Sequence, residues 1–177
     1  MDLGLISVRY ARALLKACME ANVSKAVYND MQTLAANYAH LPELKMTIGN
    51  PMLSKEQKKQ LLKVAAGDDR CELTDRFVGL VVDEGREGIM QFIAHSFIGL
   101  YRKQYHIISA KLVTATAPTQ QVETQLKQLV GEHARGDVEF NSEVDPDIIG
   151  GFVLEYDTYR MDASIKSQLN TILSKLK

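Results

Sequence analysis

Apolar residues recur along the first hundred positions with the spacing of helices packed on one side. Over residues 5–21 they fall at Val8, Ala11, Leu15 and Cys18, one stripe of an amphipathic helix. Ser24 is placed to cap a second helix running to about His40, with Val27, Met31, Leu34 and Tyr38 on one side. Pro42 suits the first turn of a short third helix, which Asn50-Pro51 must end. Ser54-Lys55-Glu56-Gln57 has the form of a capping box opening a fourth helix, and Gly67 closes it. A fifth helix is predicted over residues 72–84 and ends at Gly85. A sixth runs over 88–104, with Ile89, Phe92, Ile93, Phe97 and Leu100 in register. Brief capped links between short helices predict an antiparallel six-helix bundle over residues 1–105.

The pattern changes after that. HIISAKLVTAT, residues 106–116, is rich in Ile, Val and Thr and reads as a strand. Pro118 opens a seventh predicted helix with Val122, Leu126, Leu129 and Val130 inward. Val138, Phe140 and Val144 alternate in a second strand, which Asp145-Pro146 breaks. Gly150-Gly151 leads into a third strand, FVLEY, and Asp157-Thr158 turns the chain. Asp162 or Ser164 caps a last helix carrying Ile165, Leu169, Ile172 and Leu176. The expected fold is mainly α: a six-helix bundle, then a small α+β domain over residues 106–177.

The fifth helix stands apart from the others. Phe77, Val78, Leu80, Val81 and Val82 place apolar groups nearly all the way round it, so it needs cover on two sides. Either it is the central helix of the bundle, or one side is a groove for a partner's amphipathic helix.

Composition narrows the function classes. Hydrophobic residues are 46 % and charged residues 24 % of the 177, an ordinary globular balance. The formal net charge of −1 gives a nucleic-acid backbone no purchase. Residues 1–105 carry 14 basic and 12 acidic side chains, and residues 106–177 carry 7 and 10, a mild asymmetry. No apolar run is long enough to cross a bilayer, and neither a secretory signal nor a separate transit peptide is read at the N-terminus. Cys18 and Cys71 have no metal-ligand spacing and fit reduced thiols.

Catalytic constellations are thin. No phosphate-binding loop, dinucleotide fingerprint, nucleophile elbow or zinc-protease motif occurs. His40, His95, His106 and His133 are scattered. Cys18 as a nucleophile would need a base beside it, and its place on the apolar stripe favours the core. Glu139, Glu143, Asp145 and Asp147 cluster at a strand end, where solvation explains them more simply than acid–base work. No catalytic residue, cofactor or metal ligand is expected.

Three segments carry a family resemblance. RYARALLKA (Arg9 to Ala17) resembles the first helix of F-type ATP synthase delta subunits, the family of the mitochondrial oligomycin-sensitivity-conferring protein. DEGREGIMQFIAHSF (Asp83 to Phe97) resembles that family's bend between fifth and sixth helices. Asp145 followed by Ile149-Gly150-Gly151, a short hairpin, and then Asp162-Ala163-Ser164 is similar to the family's C-terminal pattern. Ala163 stands where the family usually has Gly, and the hairpin turn here is Asp157-Thr158-Tyr159-Arg160.

The resemblance implies a non-catalytic stator subunit. Its helical domain would bind N-terminal helices of the alpha subunit on the catalytic head. Its C-terminal domain would meet the end of the b-subunit stalk. Membrane association would then come only through the complex, on the cytoplasmic face of a bacterial energy-coupling membrane. It also places a head-binding groove between the first and fifth helices. Helical spacing puts Arg76, Leu80 and Asp83 on one face of the fifth helix, and Tyr10 and Leu14 on one face of the first, partly opposite its apolar stripe. Leu80 and Leu14 are expected as floor, Tyr10 as wall, and Arg76 and Asp83 as polar rim. Asp145, Gly150, Gly151, Asp162 and Ser164 are expected to be structural. The rival readings are a helical adaptor for an unrelated amphipathic helix, and an enzyme using Cys18 or the acidic cluster.

Overall fold

The computed structural model describes residues 3–116, 124, 137–156 and 159–175. The chain divides into two compact units, residues 1–103 and 104–177. It is mainly helical, with a small C-terminal sheet.

Six helices form the first unit: α1 (Leu3–Glu20), α2 (Ser24–His40), α3 (Pro42–Ile48), α4 (Lys55–Ala66), α5 (Glu72–Asp83) and α6 (Met90–Gln104), the last preceded by a 3-10 turn at Glu87–Ile89. The predicted stop and start signals act as expected at several ends. Pro42 sits in the first turn of α3. Ser54 and Gln57 form a reciprocal capping box at α4. Gly67 and Gly85 take left-handed φ angles of 110° and 64° in the links that follow α4 and α5. Ser24 does not cap α2. It lies inside the helix, is buried, and its hydroxyl faces the Cys18 thiol.

The core is assembled from one stripe of each long helix. On α1 the buried positions are Ser7, Ala11, Leu14 and Cys18, spaced by four and three, with Val8 and Leu15 half-buried at the edge. This corrects the expected stripe, because Leu14 faces inward with Ala11 and Cys18. On α6 the buried stripe is Met90, Ile93, Ala94, Phe97, Ile98 and Tyr101. Phe92, expected inside, is 46 % exposed, one helical step outside that stripe. Tyr28 of α2 stacks on Tyr101 with ring centroids 4.0 Å apart, and Arg102 donates to the Tyr28 hydroxyl at 2.9 Å.

Polar contacts hold α5 at both ends. Its N-cap residue, Cys71, offers no side-chain cap. The carboxylate of Asp30 on α2, only 7 % exposed, accepts from the Cys71 backbone N–H at 2.9 Å and from the Thr74 hydroxyl. A second helix thus supplies the missing cap and a negative charge to the positive end of the α5 dipole. At the other end Lys55 of α4 donates to the Asp83 carbonyl at 2.7 Å, and Lys59 pairs with the Asp83 carboxylate at 2.7 Å. Cations at a helix C-terminus complement the dipole there.

In the second unit β1 (Ile107–Thr114), β2 (Asp137–Val144), β3 (Phe152–Tyr156) and β4 (Tyr159–Asp162) make one sheet in the order β2-β1-β3-β4. The β1/β2 pair is parallel and the other two pairs are antiparallel. Ala110, Leu112 and Leu154 are fully buried, with Val138, Phe140, Phe152 and Tyr156 packed around them. The closing helix is α7 (Ile165–Lys175). Apart from Thr124, which is helical, the predicted helix beginning at Pro118 with Val122, Leu126, Leu129 and Val130 lies outside the described residues, as do the Asp157-Thr158 turn and Leu176.

Removing the cap that α2 lends to α5 takes the acceptor from two donors, the Cys71 N–H and the buried Thr74 hydroxyl, and lets the helix start fray. Asp30→Ala should therefore lower the stability of the helical unit by about 2 kcal/mol, and Asp30→Asn, which keeps an acceptor, by about half that. Urea denaturation followed by helical circular dichroism measures both. A wild-type midpoint for Asp30→Ala would remove the cap from the account.

Candidate partner-binding groove

A groove of about 790 Å³ runs between α1 and α5 and opens to solvent. The α1 wall is Ile6, Arg9, Tyr10, Ala13, Leu14 and Ala17, which follow the three-and-four spacing of a single helix face. From residue 6 to residue 17 that face extends roughly 16 Å, about three turns. The α5 wall is Leu73, Arg76, Phe77 and Leu80, the same spacing on the second helix, and Arg86, in the link after α5, completes the lining. Tyr10 and Phe77 meet edge-to-face across the base at 6.4 Å between ring centroids. Ala13 and Ala17 keep the floor low, so that a partner backbone can come close.

The groove gathers four of the five residues expected there: Tyr10, Leu14, Arg76 and Leu80. They do not play equal parts. Leu14 is 2 % exposed and serves as a core residue whose edge shows at the floor. Leu80 is 53 % exposed, whereas Val78, Val81 and Val82 on the other faces of α5 are fully buried. The two-sided cover that α5 needs is met by the core on one side only. Asp83 is not in the groove lining. Lys59 and Lys55 hold it at the end of α5. Arg9 and Arg86 were not singled out by helix spacing. Both lie within the two N-terminal segments that carry the family resemblance, but a rim built from a helix and a loop has no periodic signature.

Among the described residues the groove is lined by apolar side chains, three arginines and one tyrosine, with no carboxylate, imidazole, thiol or aliphatic hydroxyl. Cys18 lies buried in the core, where its Sγ donates to the Leu15 carbonyl at 3.2 Å and burial pushes the thiol up. That is opposite to what a nucleophile needs. Among the described residues no group of His, Cys, Asp and Glu converges as a metal site.

The C-terminal motif residues build backbone turns. Asp145 accepts from the Asp147 N–H at 3.0 Å and caps the 3-10 turn Pro146–Ile148. Gly151 has φ of 75°, and a Cβ there would sit 2.2 Å from the Ala163 carbonyl oxygen. A Cβ on Gly150 would press on the Ile165 side chain, which can yield. Ser164, not Asp162, caps α7 by accepting from the Ser167 N–H at 3.2 Å. Asp162 braces that cap, accepting from the Ser164 N–H at 3.0 Å and from the Ser164 and Ser167 hydroxyls.

Beyond these turns the second unit leaves apolar side chains in solvent. No residue of α7 is buried, and Leu169, Ile172 and Leu173 are 47 %, 54 % and 61 % exposed. Ile149 is 61 % exposed at a φ of 70°, a conformation that β-branched residues rarely adopt.

Comparisons with known proteins agree with one another. The profile of the family described as ATP synthase delta (OSCP) subunit matches residues 6–176. ATP synthase subunit delta of Phocaeicola vulgatus is 40 % identical over 173 residues, covering 97 % of this chain and 94 % of that protein. ATP synthase subunit delta of Parabacteroides distasonis is 39 % identical, covering 99 % and 98 %. A chain in the cryo-EM structure of the Toxoplasma gondii mitochondrial ATP synthase hexamer superposes with a TM-score of 0.69, covering 96 % of each chain at 20 % identity, and so shares the fold.

Two outcomes test the structural reading of the motif. The hydrogen bonds from the Ser164 hydroxyl, the Ser164 N–H and the Ser167 hydroxyl hold the Asp162 carboxyl down to about 2. A depressed carboxylate stabilises the fold above its unfolded value of about 3.9, and that contribution is lost as pH falls from there toward the folded value. Acid titration of the C-terminal unit should show loosening of α7 across that window. Asp162→Asn should lack the step and be less stable at neutral pH. Gly151→Ala should cost the C-terminal unit more than ~1 kcal/mol while leaving the melting of the helical unit unchanged. A Gly151→Ala protein with wild-type C-terminal stability would contradict the close approach to Ala163.

Proposed function

The chain belongs to the ATP synthase delta (OSCP) subunit family, and from that membership, together with an apolar groove devoid of reactive groups, we infer a non-catalytic stator subunit that links the catalytic head to the peripheral stalk. The job is mechanical. Proton flow turns a rotor inside the head, and a head free to turn with it would receive no conformational work. A connector held at two ends prevents that, and binding at one end raises the effective concentration at the other.

The helical unit, acting as a six-helix bundle, takes the head. Its groove receives an amphipathic helix from the N-terminus of the alpha subunit, laid in along its apolar side. The exposure of Leu80, on a helix whose Val78, Val81 and Val82 are fully buried, is the observation that carries this reading. The second unit takes the C-terminus of the b-subunit stalk, and the exposed apolar side chains of α7 and Ile149 support that assignment. Among the described residues no helix is long and apolar enough to cross a membrane. Attachment to the cytoplasmic face of the energy-coupling membrane comes through the complex.

Leu80→Asp tests the groove directly. Covering Leu80 with a partner helix contributes about 1.5–3 kcal/mol, so the substitution should weaken binding of an alpha N-terminal peptide at least tenfold. Since Leu80 is at the surface, the melting temperature should hold. Calorimetric titration with melts alongside measures both. Unchanged affinity in a folded Leu80→Asp protein would refute the groove.

A further inference from the structure

Three guanidinium groups ring the apolar groove: Arg9 on α1, Arg76 on α5, and Arg86 in the link after α5. None of the three has an ion-pair or hydrogen-bond partner for its guanidinium among the described residues. Neighbouring cations do have partners. Lys58 pairs with Glu87, Lys59 with Asp83, and Arg70 and Lys63 with Asp75. Those pairs also take up carboxylates that would otherwise soften the field of α5. Among the described residues no acidic side chain lines the groove. The result is a trough with an apolar floor and three rim arginines that have no direct ion-pair partner among the described residues.

A helix laid into this trough strips water from the rim. Unpaired guanidiniums resist that, whereas guanidiniums offered carboxylates form charge-assisted, often bidentate hydrogen bonds. Taking the groove as a helix site, as above, we propose that its occupant is an acid-flanked amphipathic helix, with carboxylates on both edges of its apolar stripe. On the edge facing α5, carboxylates about seven residues apart reach Arg76 and Arg86, since Arg76 lies seven residues, or roughly 10 Å, before the end of α5. On the edge facing α1, one carboxylate reaches Arg9. The floor supplies affinity. The rim fixes which way round the helix lies and speeds its capture.

Three synthetic helical peptides with the same apolar stripe, carrying Glu, Gln or Lys at the flanking positions, test this against the full chain by calorimetry. At low salt the Glu peptide should bind at least tenfold more tightly than the Gln peptide, and the Lys peptide most weakly. At about 0.5 M salt the difference should largely vanish. The Arg9→Glu, Arg86→Glu double variant should keep its melting temperature and prefer the Lys peptide over the Glu peptide. Equal binding of Glu and Gln peptides at low salt would overturn the rim proposal while leaving the groove standing. So would an unchanged preference in the double variant. Failure of every peptide to bind a folded chain would overturn the groove reading itself, and capture by anionic phospholipid vesicles in their place would reassign the surface to a membrane.

Discussion

Helix α5 begins on a carboxylate that belongs to another helix. Asp30 of α2 satisfies the Cys71 N–H and the Thr74 hydroxyl, while Lys55 and Lys59 of α4 hold the other end at Asp83. With both termini fixed, the rotation of α5 about its axis is fixed too. Val78, Val81 and Val82 are committed to the core, and Leu80 and Arg76 are left facing outward beside α1. A hydrophobic helix free to roll would bury Leu80 in preference to a valine. The polar contacts at its ends prevent that. They leave an apolar face exposed on a helix whose sequence reads as core on almost every side.

The same economy explains how the subunit works without chemistry. A stator connector has to resist torque, and resistance comes from anchored apolar contact and directional charge pairing. The first unit offers a three-turn trough with aromatic and leucine contacts and a basic rim. The second offers exposed apolar side chains beside rigid turns, where Asp145, Gly151 and the Asp162–Ser164 pair hold the backbone. Two modest sites on one chain, as proposed for the head and the stalk, would give a grip that neither gives alone.

Much of this is legible in the residues. The capping box at Ser54, Pro42 and the stop at Gly67 act as local chemistry dictates. Helical spacing puts Arg76 and Leu80 on one face of the fifth helix and Tyr10 on a face of the first, while it is the family resemblance that sets those two helices side by side. Spacing misleads where two phases of a stripe compete. Leu14 and Leu15 are adjacent leucines, and only packing decides that Leu14 turns inward. Ser24 has the chemistry of a cap but is drawn into the core by Cys18. Asp30 leaves no trace in a local pattern, because its partners lie more than forty residues away in sequence. Arg9 and Arg86 become a rim only through tertiary structure.

The central claim is that this chain is the joint between head and stalk. Sedimentation velocity on a mixture of purified ATPase head, a soluble b-subunit stalk fragment and this chain tests it most directly. A single complex containing all three is expected, with head and stalk sedimenting apart when the chain is omitted. Stable association of head and stalk without the chain, or a chain that binds one of them and never both, would contradict it.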